Sequence, residues 1–137
     1  MIDKSHTARV LLAIALVAPL IAHANETIHV KLTDDMIQLD ADTAREGRVT
    51  FDVNNAANGN TEHEFAVLRT DMDDARLPVH NGQVTESRFK KIGEVEDLAR
   101  GSTKRLSVKL APGRYVLICN RPGHYEMGMH TRFVVSR

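Results

Sequence analysis

The chain has no tryptophan, one cysteine and no net charge, and each of these absences excludes something. A single cysteine cannot close a disulfide within the chain, so no internal staple holds the fold. Lys plus Arg and Asp plus Glu stand at 18 each. No basic patch or stripe stands out, which removes the usual footprint of nucleic-acid binding, and no polybasic run suggests a membrane surface. There is no internal repeat. The one long apolar stretch, Val10 to Ile21, is broken by Pro19 and falls short of the about 20 residues that a spanning helix needs.

That stretch reads instead as part of a secretory leader. Lys4 and Arg9 give it a charged start, and Ala22-His23-Ala24 has the small-x-small form of a signal-peptidase site. The expected leader is 1–24, cut after Ala24, with a periplasmic destination. The remainder, 25–137, is expected to be one domain, long enough to bury a core without staples. Setting aside Asp3, Lys4 and Arg9 leaves it about one net negative charge and no membrane span. Export makes the lone cysteine conspicuous, because a free thiol in an oxidising compartment is a liability unless it is used or protected. Plain burial is the commoner fate of a free cysteine, but the neighbours of this one argue for use.

Those neighbours are Cys119-Asn-Arg-Pro-Gly-His124-Tyr-Glu-Met127-Gly-Met129. Thiolate, imidazole and thioether fall within one loop. Soft sulfur ligands select copper, and a Cys/His site with a distant, weak Met is the geometry of electron-transfer copper. The second histidine that such a site requires has a candidate far upstream, His63 in Glu62-His63-Glu64-Phe65. Zinc fits less well, since methionine is not among its usual ligands.

Seven short segments carry a strand signature: 27–32, 36–39, 47–53, 63–68, 104–110, 115–119 and 131–135. Val49, Phe51 and Val53 alternate cleanly, as do His63, Phe65 and Val67, and Leu106, Val108 and Leu110. Period two over such lengths argues half-buried strands. Tyr115 to Cys119 is continuously apolar and so central, and Ala111-Pro112-Gly113 before it is a turn. About seven strands with turn signals between them predict an all-β fold, a two-sheet sandwich or barrel. The charged segment 70–101, with Pro78, Asn81-Gly82 and Gly93, reads as a long excursion between strands, with helical turns expected at 86–91 or 94–100.

The loop Cys-x-x-Pro-Gly-His followed by Met, together with His-Glu-Phe at His63 and Ala-Pro-Gly-x-Tyr before the cysteine strand, resembles the cupredoxins, the small blue copper proteins. The resemblance implies a Greek-key β-sandwich holding one type 1 copper ion. Carried over position by position, the equatorial ligands are His63, Cys119 and His124. The axial methionine is either Met127 or Met129; the pattern His-Tyr-Glu-x-Gly-Met resembles that of periplasmic relatives and favours Met129, leaving Met127 to the surface. The backbone N–H of Glu64 is a candidate donor to the thiolate, and Asn120 is a candidate to help tie the two ligand segments. Arg121, where relatives often carry an apolar residue, reads as a solvated side chain at the rim. Tyr125 and Glu126 read as loop surface, His29 and His80 as solvated, and His130 as pointing away from the metal.

The function implied is one-electron shuttling between exported redox partners, met transiently, by a monomer. The same ligands would serve a copper carrier that does not turn over. An enzyme is not expected: a Cys/His pair can be nucleophile and base, but His124 is five positions from Cys119 on one tight loop, with no third residue to orient it.

Overall fold

The computed structural model describes residues 24–137; the expected leader lies almost wholly outside the described residues. Two sheets face each other. The first is built from β1 (Ala24–Leu32), β2 (Ile37–Leu39), β4 (Gly47–Asn55) and β9 (Thr103–Leu110), in the spatial order β2-β1-β4-β9. The second is built from β3 (Thr43–Arg45), β5 (His63–Arg69), β8 (Lys90–Leu98), β10 (Gly113–Ile118) and β11 (His130–Ser136), in the order β3-β11-β10-β5-β8. A small hairpin of β6 (Val79–His80) and β7 (Gln83–Val84) stands apart, and one short helix, α1 (His124–Met127), lies between β10 and β11. β1 pairs with β4, and β3 with β11, in parallel; the other strand pairs are antiparallel. All seven expected strands are present, in the expected sandwich.

Alternation puts one side of each strand into the core. Val49, Phe51 and Val53 of β4 are fully buried, and so are Phe65 and Val67 of β5. Phe51 sits at the centre, its ring 5.3 Å from those of Phe65 and Phe133. Burying such a side chain stabilises by about 1.5–3 kcal/mol. From Tyr115 to Ile118, β10 is apolar because both its faces are covered there. Tyr115 and Leu117 face the inter-sheet core, while Val116 and Ile118 join Ala66 and Leu68 in a second, smaller cluster under Leu77, Val84 and Tyr125.

The charged excursion differs from expectation. Its helical content is two single turns of 3-10 helix, Asp74–Arg76 and Glu86–Arg88, and the segment expected to be helical at 94–100 lies mostly in β8, a nine-residue strand along the edge of β5. Ile92, Val95 and Leu98 recur every third residue, which imitates a helix. The spacing comes from two bulges. Between Leu98 and Val95 the partner advances only from His63 to Phe65, and between Gly93 and Lys91 only from Val67 to Leu68. Each extra residue resets the in–out alternation, and Asp97 in the first bulge takes a left-handed φ of 47°. Gly93 lets this strand close on the opposite sheet: a Cβ there would lie 3.0 Å from Val108 and 3.1 Å from Leu106.

Candidate metal centre

β5 and β10 are antiparallel neighbours, with Ala66 opposite Ile118. The start of one and the end of the other therefore share one end of the sandwich. His63 is the first residue of β5, and Cys119 directly follows β10. The chain then turns through Gly123, with φ at 80°, so that His124 opens α1, and through Gly128, with φ at 118°, so that Met129 leads into β11. Gly128 has a second reason to lack a side chain: a Cβ would lie 3.0 Å from the Asp35 carbonyl.

The ligand atoms converge as the topology requires. His63 Nδ1 and His124 Nδ1 are 3.2 Å apart. Cys119 Sγ lies 3.4 Å from His124 Nδ1 and 3.7 Å from His63 Nδ1. A triangle with these edges has its centre about 2.0 Å from every corner, which is the length of a metal–imidazole bond. The donor set thus fits a metal ion with a shift of about 0.3 Å, which gives the sulfur the roughly 2.3 Å of a metal–thiolate bond. Among the described residues, His63, Cys119 and His124 are the only such group, with all three donor atoms within 4.8 Å of one another.

Cys119 and His63 are fully buried, and His124 is partly exposed. Burial pushes the Cys119 thiol up to about 11, against the pull of the Glu64 and Arg121 N–H groups. Burial, and then the neighbouring imidazole of His124, holds His63 below the ordinary range for histidine; burial, and then Arg121, does the same to His124. Near pH 7 the metal-free site therefore holds two neutral imidazoles and a thiol, and a cation entering it displaces the thiol proton. The N–H of Glu64 points at Sγ from 3.4 Å, as expected for a donor to the thiolate.

The two methionines separate sharply. Met129 is fully buried within the main core cluster that includes Cys119, whereas Met127 is 55% exposed. Met129 is held at both backbone groups: its N–H donates to the His124 carbonyl at 3.1 Å, and its carbonyl accepts from Cys119 N–H at 3.0 Å.

Several neighbours depart from the sequence reading. Tyr125, expected at the surface, is 5% exposed. Its hydroxyl donates to the Asp74 carbonyl at 2.6 Å and accepts from Leu77 N–H at 2.9 Å, bolting the ligand loop to the excursion. Through its side chain Asn120 ties the loop to the β6–β7 hairpin, while its backbone N–H faces the Glu64 carboxylate of β5. Its side chain donates to the Val84 carbonyl and to Glu86, and accepts from Val84 N–H at 2.6 Å. Gly123 N–H donates to the Gly82 carbonyl of the same hairpin. Arg121 is not simply solvated: it forms ion pairs with Glu62 and, at 3.7 Å, with Asp97. None of these partners carries a signal in the sequence beyond the presence of buriable polar groups. His130 turns to Asp74 at 2.7 Å and lies outside the ligand group, and His29 and His80 are exposed. A hollow of about 600 Å³ opens beside His124, lined by Thr61, Glu62, Arg100, Arg121 and Pro122.

No protein-family model and no curated protein matches the sequence. Solved structures do. Auracyanin from the photosynthetic bacterium Roseiflexus castenholzii is 18% identical with a TM-score of 0.60, over 85% of this chain and 100% of that one. Auracyanin A, described as a "blue" copper protein from Chloroflexus aurantiacus, is 22% identical with a TM-score of 0.56, over 82% of this chain and 100% of that one. Rusticyanin from Thiobacillus ferrooxidans is 18% identical with a TM-score of 0.53, over 80% of this chain and 77% of that one. At such identities the likeness establishes the fold, that of the cupredoxin sandwich.

Proposed function

We propose that this cupredoxin-fold chain is an exported, one-electron carrier that holds a single type 1 copper ion between His63, Cys119 and His124, with Met129 as the weak axial ligand. The observation that carries the reading is the preformed triangle of two imidazole nitrogens and one sulfur, with both nitrogens already at bonding distance from its centre and the sulfur within about 0.3 Å of its own. Bound copper supplies a centre that exchanges one electron between Cu(II) and Cu(I).

The protein's part is to keep the ligand positions fixed across that exchange. Two ligands are rooted in neighbouring strands, and the third is pinned by hydrogen bonds from His124 N–H to the Arg121 carbonyl and from Met129 N–H to the His124 carbonyl. A cage that does not move adds little reorganisation to electron transfer. Burial of Cys119, His63 and Met129 excludes water from the thiolate side. The partly exposed edge of His124 is the exit for the electron, with exposed Pro122 and Met127 nearby as a contact surface for transient redox partners. Such encounters use small, weak interfaces.

Titration of the purified domain with Cu(II), followed by visible and paramagnetic resonance spectra, tests the reading. One equivalent should produce an intense thiolate-to-copper charge-transfer band that a mild reductant bleaches and an oxidant restores quickly. A product that stays colourless and metal-free overturns the copper site itself, and a metal that passes to an acceptor while electron exchange stays slow counts for a carrier of copper.

A further inference from the structure

Arg121 lies at the rim of the candidate metal site. It follows Cys119 by two residues, its carbonyl accepts from His124 N–H at 2.9 Å, and its guanidinium reaches across to Glu62, the residue before His63. The side chain therefore spans from the Cys119–His124 loop to the residue before His63, and it lines the hollow beside His124. It is two-thirds covered, so its field is less screened by water than that of a free surface arginine. Its counter-charges are less sheltered: the Glu62 side chain is 50% exposed and that of Asp97 is 76% exposed. Asp34 and Glu64 carry negative charge near His63 and Cys119 as well, so Arg121 supplies the positive contribution to a field of mixed sign.

We propose that Arg121, with Glu62 as its counterweight, sets the balance between the divalent and monovalent states of the bound ion. This rests on the copper reading above. The guanidinium opposes the extra positive charge of the divalent state and so favours the reduced one, while Glu62 offsets part of that effect. The two residues act on the ion through space and touch neither it nor a substrate. They are tuning residues, and their signature is a pair of shifts of opposite sign.

Redox-inert ions give a test that does not depend on electron transfer. Ag(I) stands in for the monovalent state and Zn(II) for the divalent one, and their affinities are measured by competition with a chelator for wild type, Arg121→Gln, Arg121→Lys and Glu62→Gln. The same variants loaded with copper are poised against the ferrocyanide/ferricyanide couple, in which ferrocyanide loses the one electron that the bound ion gains. Arg121→Gln should raise the Zn(II)-to-Ag(I) affinity ratio and move the copper equilibrium toward the oxidised state by about tenfold, 59 mV for a one-electron couple. Glu62→Gln should move both in the opposite direction by a smaller factor. Arg121→Lys, which keeps the charge and loses the fork, should stay near wild type. Shifts of the same sign in Arg121→Gln and Glu62→Gln, or no shift in either, overturn the proposal even if the copper site itself is intact. A wild-type chain that binds neither ion overturns the copper reading and this inference together.

Discussion

At the scale of single residues, the two methionines give the sharpest discrimination. Met129 is buried beside the cysteine and Met127 is largely in water. Met129→Leu should alter the visible spectrum and raise the reduction potential of the copper-loaded protein, since the axial ligand tunes that potential; Met127→Leu should leave both near wild type. The reverse pattern would transfer the axial role to Met127. The three residues that the structure brings together were legible in the sequence because thiol and imidazole donors are few in this chain: one cysteine and seven histidines in all. What the sequence concealed was the second role of their neighbours. Tyr125 looks like any tyrosine in a polar loop until the Asp74 carbonyl and the Leu77 N–H are seen to meet its hydroxyl. Arg121 looks solvated until Glu62 and Asp97 are brought to it by β5 and the β8 bulge. Both facts depend on contacts between positions far apart in the chain, which local periodicity does not encode.

At the scale of elements, the excursion 70–98 is a strap over the ligand loop. Its first 3-10 turn receives Tyr125 and His130, and its hairpin receives Asn120 and Gly123. Tyr125→Phe keeps the ring and removes both hydroxyl hydrogen bonds, leaving the Leu77 N–H without its partner. Urea unfolding should show a loss of about 1–3 kcal/mol; an unchanged midpoint would mean that the strap is held elsewhere. A second clamp joins the turn after β1 to the loop before β5. The Asp34 carboxylate accepts from Asn58 N–H at 3.3 Å, from the Asn58 side chain at 3.2 Å and from Gly59 N–H at 3.3 Å. These backbone donors hold its pKa below the ordinary value of 3.8, with Gly59 contributing most. A carboxyl whose pKa is lowered on folding adds stability above its unfolded value and loses it as pH falls through the lower folded value. Wild type and Asp34→Asn should therefore differ in unfolding midpoint near neutral pH and converge as pH falls well below 3.8, in thermal melts of the metal-free protein. A difference that persists at low pH would assign the clamp to geometry and not to charge. The strand β8 shows why elements are harder to read than residues. Its two bulges turn a period of two into a period of three, so a strand edge presents the spacing of a helix.

At the scale of the whole molecule, the architecture was legible because the main core strands alternate without interruption and the run Tyr115 to Ile118 of β10 is apolar on both faces. The two parallel pairings, β1 with β4 and β3 with β11, were not, since they join segments whose patterns carry no record of their partners. The fold matters to the site in one respect above the others. Antiparallel pairing of β5 with β10 brings residues 63 and 119 to the same end before any ion arrives, and the phenylalanine-centred core beneath holds them there. X-ray absorption at the copper edge of the loaded protein tests this most directly. One sulfur and two imidazole nitrogens are expected around the ion, the nitrogens at about 2.0 Å, with the same ligand set and nearly the same distances before and after reduction. A ligand set of nitrogen and oxygen alone, or one that loses an imidazole on reduction, would contradict a cage built in advance by the fold.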